Sequence, residues 1–218
     1  MTRPLDQIRP YLRLAGFEYV AYMVEFEHDW PLASALIERW RIKSHTFYLP
    51  CGKMTITLQD VAYQLGLRID GDLVSGCISG WEQHHQGRTI EEFCEQILGV
   101  VSSLEDKQSQ MKWIMKLTWF HNTVCGELEQ ETTEEHLLRY TRGYIMQLIE
   151  GILFSDAYDS RVHIRWLPLL EDLETCGQLS WGLAVLAWLY CQMASLGKRP
   201  IRSHCIEIQP REMIRPVI

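Results

Sequence analysis

Residues 46–67 change hydrophobic period part-way along, and that change constrains the fold of this chain more than any other stretch. Phe47 and Leu49 alternate with polar or half-polar neighbours, Pro50 and Gly52 supply a turn, and Met54-Thr55-Ile56 can return as a second short strand. The period then becomes helical. Thr57 can cap a helix with Asp60 three residues on, Leu58, Val61, Ala62 and Leu65 form an apolar stripe, and Gly66 suits a left-handed stop. A hairpin feeding a capped helix is a folding unit, and none of its residues is an evident catalyst.

The same helical grammar recurs along the chain. Leu12, Leu14, Phe17 and Val20 mark a first short helix. Trp30-Pro31 starts a second, with Pro31 at its first position and Leu32, Ala35, Leu36 and Trp40 on one face. A Gly-rich connection over 70–80 and a polar stretch to Gly87 precede a second capping box, Thr89 with Glu92, whose helix turns Ile90, Phe93, Ile97 and Val101 inward. Residues 102–110 are polar and read as a loop. Trp113, Ile114, Leu117, Phe120 and Val124 describe an amphipathic helix ending near Gly126. Thr132 with Glu135 gives a third box, and Leu138, Ile145, Leu148, Ile149 and Ile152 carry its helix toward Phe154. Val162–Trp166 reads as extended, Pro168 restarts a short helix, and Ser180 caps an apolar helix that Gly197 stops. The expectation is a mainly α, single-domain multi-helix bundle over residues 1–197, with one small β-hairpin near residues 46–57 and a basic, irregular tail over 198–218.

Bulk properties narrow the class. With 218 residues and 47% hydrophobic content the chain can build one substantial core. A formal charge of −7 argues against a generic grip on nucleic acid, which needs clustered cations. Seven scattered Cys without a CxxC pair read as buried thiols in a reduced, intracellular compartment. The first residues lack the apolar core of a secretory leader. The apolar density over 183–196 is interrupted by Gln192 and falls short of the ~20 residues a membrane span requires.

Several separated motifs together resemble the plant mobile domain, the module of the maintenance-of-meristems proteins, of related retroelement-borne genes and of the long form of a plant phosphatase. They are Leu36-Ile37-Glu38-Arg39-Trp40, His45-Thr46-Phe47, Leu49-Pro50, Gly52, Thr55 to Leu58, Asp60-Val61 and Leu65-Gly66-Leu67. The match continues through Trp81, Phe93-Cys94, Leu98-Gly99, Tyr144, Leu153-Phe154, Leu167-Pro168-Leu169-Leu170, Leu173 and Ser180-Trp181-Gly182 to Leu189-Tyr190. The resemblance implies a nuclear protein concerned with transposon silencing, genome integrity and meristem maintenance. It also implies a protein partner, a phosphatase of the plant PP-seven-like group. In family members the position after Gly197 continues into another apolar, Trp-containing helix, which residues 203–210 do not resemble. The expectation this raises is a C-terminally truncated or misannotated version of the domain, in which a groove meant for the missing helix would be left uncovered.

Candidate chemistry is sparse beside this. His84 and His85 with Cys77 and Cys94 are zinc-type ligands, but adjacent His side chains diverge and the spacing fits no finger or ribbon. His121 and Cys125 share a helical face, an arrangement commoner in packing than in catalysis. An aminotransferase-like label, which the family sometimes carries, would demand a Schiff-base Lys and a phosphate-cradling loop. Lysines 43, 53, 107, 112, 116 and 198 lie in polar or amphipathic settings, and Gly71, Gly76 and Gly80 make no such loop. The acidic run Glu127, Glu129, Glu131, Glu134 and Glu135 reads as a solvated helix start rather than a two-metal cluster.

The expectation is therefore a non-catalytic scaffold with no catalytic, cofactor-binding or metal residues. Its candidate partner-docking surface is Arg39, Trp40, His45, Phe47, Leu49 and Pro50, because Trp and Arg are the usual interface anchors. Two alternatives stand beside it. One is a metal-dependent, nuclease- or transposase-like enzyme derived from a mobile element. The other is a weak nucleic-acid binder acting through Lys198, Arg199, Arg202, Arg211 and Arg215 of the tail.

Overall fold

A computed structural model describes residues 3–25, 29–75, 87–99, 114–124, 132–154 and 161–196. In chain order, a 3-10 turn (Asp6–Ile8) leads to α1 (Arg9–Leu14), a second 3-10 segment (Val20–Glu25) and α2 (Trp30–Glu38). Strands β1 (Trp40–Arg41), β2 (Thr46–Leu49) and β3 (Gly52–Met54) precede α3 (Leu58–Leu65) and α4 (Ile90–Leu98). Strand β4 (Ile114–Lys116) runs into α5 (Leu117–Val124), followed by α6 (Glu134–Leu148) and a π turn (Ile149–Leu153). Then come β5 (Arg161–His163), a 3-10 segment (Ile164–Leu170), α7 (Leu173–Gly177) and α8 (Trp181–Leu196). The fold is mainly α, as the sequence pattern predicts. Among the described residues no helix is long and apolar enough to cross a membrane.

The caps explain most of the boundaries. Both halves of the Thr57–Asp60 and Thr89–Glu92 boxes form, and Gly66 and Gly99 end α3 and α4 at φ 63° and 74°. The third box is displaced. Thr133, not Thr132, caps α6 by accepting from the His136 amide at 3.3 Å, so no Glu stands at the position that would return the bond. The first helix stops at Leu14 because Gly16 turns the chain at φ 78°, leaving Phe17 and Val20 to pack from outside it. The helix expected over 113–126 begins only at Leu117. Residues 114–116 instead pair antiparallel with β5, Ile114 opposite His163 and Lys116 opposite Arg161, so a distant strand overrides local periodicity. The segment expected to be extended over 162–166 turns helical after His163, and Pro168 lies inside the 3-10 segment rather than starting it. Gly197 and the tail from 198 lie outside the described residues.

The chain forms two compact units, Met1–His28 with Ile56–Trp188, and Asp29–Thr55 with Leu189–Ile218. In the first, α6 is the axis, presenting Tyr144, Ile145, Met146 and Leu148 to a core completed by Ile8, Leu12, Phe17, Phe93, Ile97, Phe120, Leu167 and Trp181. Arg142 fastens this axis from its flank. Its guanidinium donates to the carbonyls of Leu170 and Glu171, each at 2.9 Å, and of Ile97 at 3.4 Å, and burial pulls its pKa down. Glu150 on the π turn accepts the Trp166 indole N–H at 2.6 Å and the His163 amide at 3.3 Å, tying the turn to β5.

A strap of backbone closes the same unit. Residues 68–72 lie against 177–182, where the Gly182 amide donates to Arg68 O (2.7 Å) and the Ser180 amide to Asp72 O (2.8 Å). The Ser180 hydroxyl donates to Ile69 O (2.9 Å), and Asp72 bridges Leu179 in parallel. Ser180 is therefore engaged across the strap by both its hydroxyl and its amide. The approach is close enough that a Cβ on Gly71 would fall 2.1 Å from Gln178 O, and one on Gly182 would fall 2.7 Å from Ile69 Cγ2.

In the second unit, β1, β2 and β3 form a three-stranded antiparallel sheet, with Trp40 opposite Phe47 and Phe47 opposite Met54. The expected hairpin is its β2–β3 part, whose return strand begins at Gly52 rather than at Met54. Trp40, grouped by the sequence pattern with the α2 face, belongs instead to β1.

Candidate functional site

The six residues singled out as a docking surface all belong to the second unit. Trp40 and Phe47 are 6% and 8% exposed, and they pack edge to face at 4.8 Å between centroids. Tyr190, from the end of α8, completes the cluster at 5.5 Å from Trp40. These rings support the surface from beneath. His45, Arg39 and Pro50 are exposed, and Leu49 is half-buried.

His45 is held in an unusual conformation. It takes φ 50°, its ring stacks on Tyr190 at 5.3 Å and 25°, and its carbonyl accepts the Thr55 hydroxyl at 2.6 Å. Thr55 also meets the Tyr190 hydroxyl at 3.1 Å. A left-handed non-glycine residue costs on the order of 1–3 kcal/mol, and these contacts over-determine it. The Trp40 indole N–H is buried and meets no acceptor among the described residues.

Helix α2 departs most from its pattern. Asp29 caps it, accepting from the Leu32 amide at 2.9 Å, and Pro31 takes its second position. Of the expected face, Leu32 is 55% exposed and Ala35 and Leu36 are half-buried, and none of α2 is buried, with Trp30 69% and Ile37 41% exposed. Trp30 and Ile37 fall on one side of this nine-residue helix and Leu32 on the other, so apolar side chains are exposed on more than one side of it. Tyr190 and this exposure were not legible from the sequence. The apolar run over 183–196 gives no sign of which side chains reach another element.

The catalytic candidates are placed quite differently. His84, His85, Cys77, Cys125, Glu127, Glu129 and Glu131 lie outside the described residues. Cys94 is buried in α4, and His121 Nδ1 meets Gln147 Oε1 at 3.1 Å. Glu135 pairs with Arg139 at 2.6 Å, and Glu134 lies 3.5 Å from the Tyr11 hydroxyl. Among the described residues no three His, Cys, Asp or Glu side chains gather as a metal site. Arg165, 9% exposed, stacks at 4.7 Å on Trp166, and burial lowers its pKa against the opposing pull of Glu150.

A family model described as the plant mobile domain matches residues 16–209. The chain belongs to the plant mobile domain family. Protein MAIN-LIKE 1 of Arabidopsis thaliana is 35% identical over 189 residues, covering 87% of this chain and 35% of that protein. The serine/threonine-protein phosphatase 7 long form homolog of the same plant is 35% identical over 204 residues, 93% of this chain and 14% of that protein. Protein MAINTENANCE OF MERISTEMS is 32% identical over 187 residues, 85% of this chain and 36% of that protein. The chain thus spans about a third or less of the length of these curated relatives. No solved structure matches it. In this plant mobile domain, motif stretches 65–67 and 180–182, far apart in sequence, are brought side by side at the strap.

Proposed function

We propose that this plant mobile domain is a non-catalytic docking module that uses α2 and the neighbouring residues of its small unit to hold a protein partner. The observation that carries the reading is α2 itself, a capped helix with no buried residue and with Leu32 and Ile37 turned to solvent. A helix of nine residues is marginal in water by its own propensity, so an exposed apolar one is best accounted for by an interface. The partner is a serine/threonine phosphatase of the plant PP-seven-like group. This is supported by the resemblance in sequence to a relative that is itself named a serine/threonine-protein phosphatase 7 long form homolog. Meristem maintenance is the setting in which such a module acts, a reading supported by the name of one relative, and nuclear residence and silencing of transposable elements are what the family resemblance adds.

The test is co-purification and titration calorimetry of the full chain with that phosphatase. Leu32→Lys and Ile37→Lys, made singly, are expected to weaken the complex tenfold or more while leaving the circular dichroism spectrum unchanged. Undiminished binding by both variants defeats the docking role of α2. Stoichiometric zinc or manganese in the purified protein, together with metal-dependent nucleic-acid cleavage, defeats the non-catalytic reading.

A further inference from the structure

The formal charge of −7 conceals a segregation. Between Arg39 and Gln59 there is no Asp or Glu, although the chain holds 28 of them, and the same stretch carries Arg39, Arg41, Lys43 and Lys53. The sheet gathers two of these cations, Arg41 and Lys53, on one side, with Arg39 at the helix end beside it. Side chains alternate along a strand, so Trp40 and Phe47 take the packed face, and Arg41, Tyr48 and Lys53 take the other. Arg39 ends α2 in a helical conformation (φ −91°, ψ −3°) immediately before β1, and its carbonyl accepts the Tyr48 amide at 2.9 Å.

The geometry of this face is specific. Tyr48 is 43% exposed at the centre, with the Arg41 guanidinium 5.6 Å and the Lys53 ammonium 5.0 Å from its ring centroid. Tyr48 stands directly opposite Lys53 in the register. Beside it, on the same side, Thr46 carries a hydroxyl that meets Ser44 at 2.8 Å. The Arg39 guanidinium contacts Ala35 O at 2.8 Å through one nitrogen, and its other donors remain able to serve a second acceptor. Each group sits on a strand or next to one, so the array is positioned by backbone hydrogen bonds.

We propose that the sheet face of Arg41, Tyr48 and Lys53, with Arg39 beside it, binds single-stranded nucleic acid. The phosphates lie against the cations and a base packs on the exposed ring of Tyr48. Cations set apart on β1 and β3, on either side of Tyr48, suit a repeating phosphodiester better than a single phosphate, which would need them to converge on one point. The central aromatic separates a nucleic acid from an acidic peptide, because every base offers a π-face and a carboxylate has none. An A-form or B-form duplex keeps its bases stacked inside, so the aromatic selects the unpaired strand. This surface is distinct from the apolar residues of α2 and does not depend on the tail cations.

The test is fluorescence anisotropy of the full chain with labelled dT20 and U20 across 50 to 200 mM salt. The wild type is expected to bind with a salt-dependent constant. Arg41→Gln/Lys53→Gln should weaken binding tenfold or more and flatten the log–log salt slope by about 1.4, at about 0.7 for each phosphate no longer neutralised. Tyr48→Leu should weaken binding about tenfold without altering the slope, whereas Tyr48→Phe and Arg41→Lys retain it. Absence of binding by the folded wild type at 50 mM salt overturns the proposal. So does affinity lost only on Arg211→Gln/Arg215→Gln in the tail, or an acidic peptide of equal length binding more tightly than the oligonucleotides. Retained binding by Leu32→Lys is expected, so failure here is separable from failure of the α2 docking surface.

Discussion

Replacing Gly182 by Ala should destabilise the protein, although the same change near the start of a helix is ordinarily favourable. Gly182 is the second residue of α8, and Ala there gains up to about 0.5–1 kcal/mol in propensity. The new Cβ, however, would lie 2.7 Å from Ile69 Cγ2 and 3.0 Å from Arg68 O, the carbonyl that accepts the Gly182 amide at 2.7 Å. The side chain of Ile69 can turn aside, but the carbonyl is backbone and can retreat only by lengthening the bond that holds the strap. Overpacking costs about 1–3 kcal/mol and a weakened hydrogen bond about 1 kcal/mol, so the net loss is about 2 kcal/mol. For a chain of this size each kcal/mol moves Tm by about 2–4 °C, so Gly182→Ala should melt about 4–8 °C lower by circular dichroism. Gly151→Ala is the matched control. It sits in the π turn with nothing within 4 Å of its added Cβ, and it should change Tm little or raise it. A Tm for Gly182→Ala at or above wild type would refute the claim that the strap is held by close backbone approach.

Charge and burial set further outcomes. Glu18 accepts from Arg13 and Arg9, each at 2.8 Å, and these bonds hold its carboxyl at about 2, below the ordinary 4.5. A depressed carboxyl stabilises the folded state above its unfolded pKa and ceases to as pH falls through the folded one. The Tm difference between wild type and Glu18→Gln should be full above pH 4.5 and shrink toward pH 2, and a difference independent of pH would contradict the pairing. Burial pushes the Cys176 thiol up to about 12, and Cys94 is buried, whereas Cys51 and Cys191 are exposed. Iodoacetamide on the native protein at about pH 8 should label Cys51 and Cys191 and spare Cys94 and Cys176 until denaturant is added, as read by peptide mass mapping. Rapid native labelling of Cys176 would show the core to be open there.

Local signals were readable where a residue's partner is a few positions away. The Thr57–Asp60 and Thr89–Glu92 boxes with their glycine stops could be read directly, because cap, acceptor and stop all lie within a few turns. What escaped depends on distant pairing. Residues 114–116 carry a helical pattern and become a strand only because β5 lies alongside, and Trp40 leaves the helix for a strand because Phe47 faces it. At the candidate surface the six residues share one unit, but burial divides them. Trp40 and Phe47 are indistinguishable in sequence from exposed anchors until Tyr190 is seen packed against Trp40. The cationic face was hidden for a related reason: a summed charge averages over segments that the fold keeps apart, and strand register decides which side chains share a side.

The strap also sets a timetable. The carbonyls of Arg68, Ile69 and Asp72 take their donors from Gly182 and Ser180, some 111 positions later in the chain, so during synthesis they must rely on water until that segment has left the ribosome. A nascent chain arrested before Ser180 would already carry α1 to α7 yet lack the donors that hold residues 68–72, and would be a species exposed to chaperones and proteases.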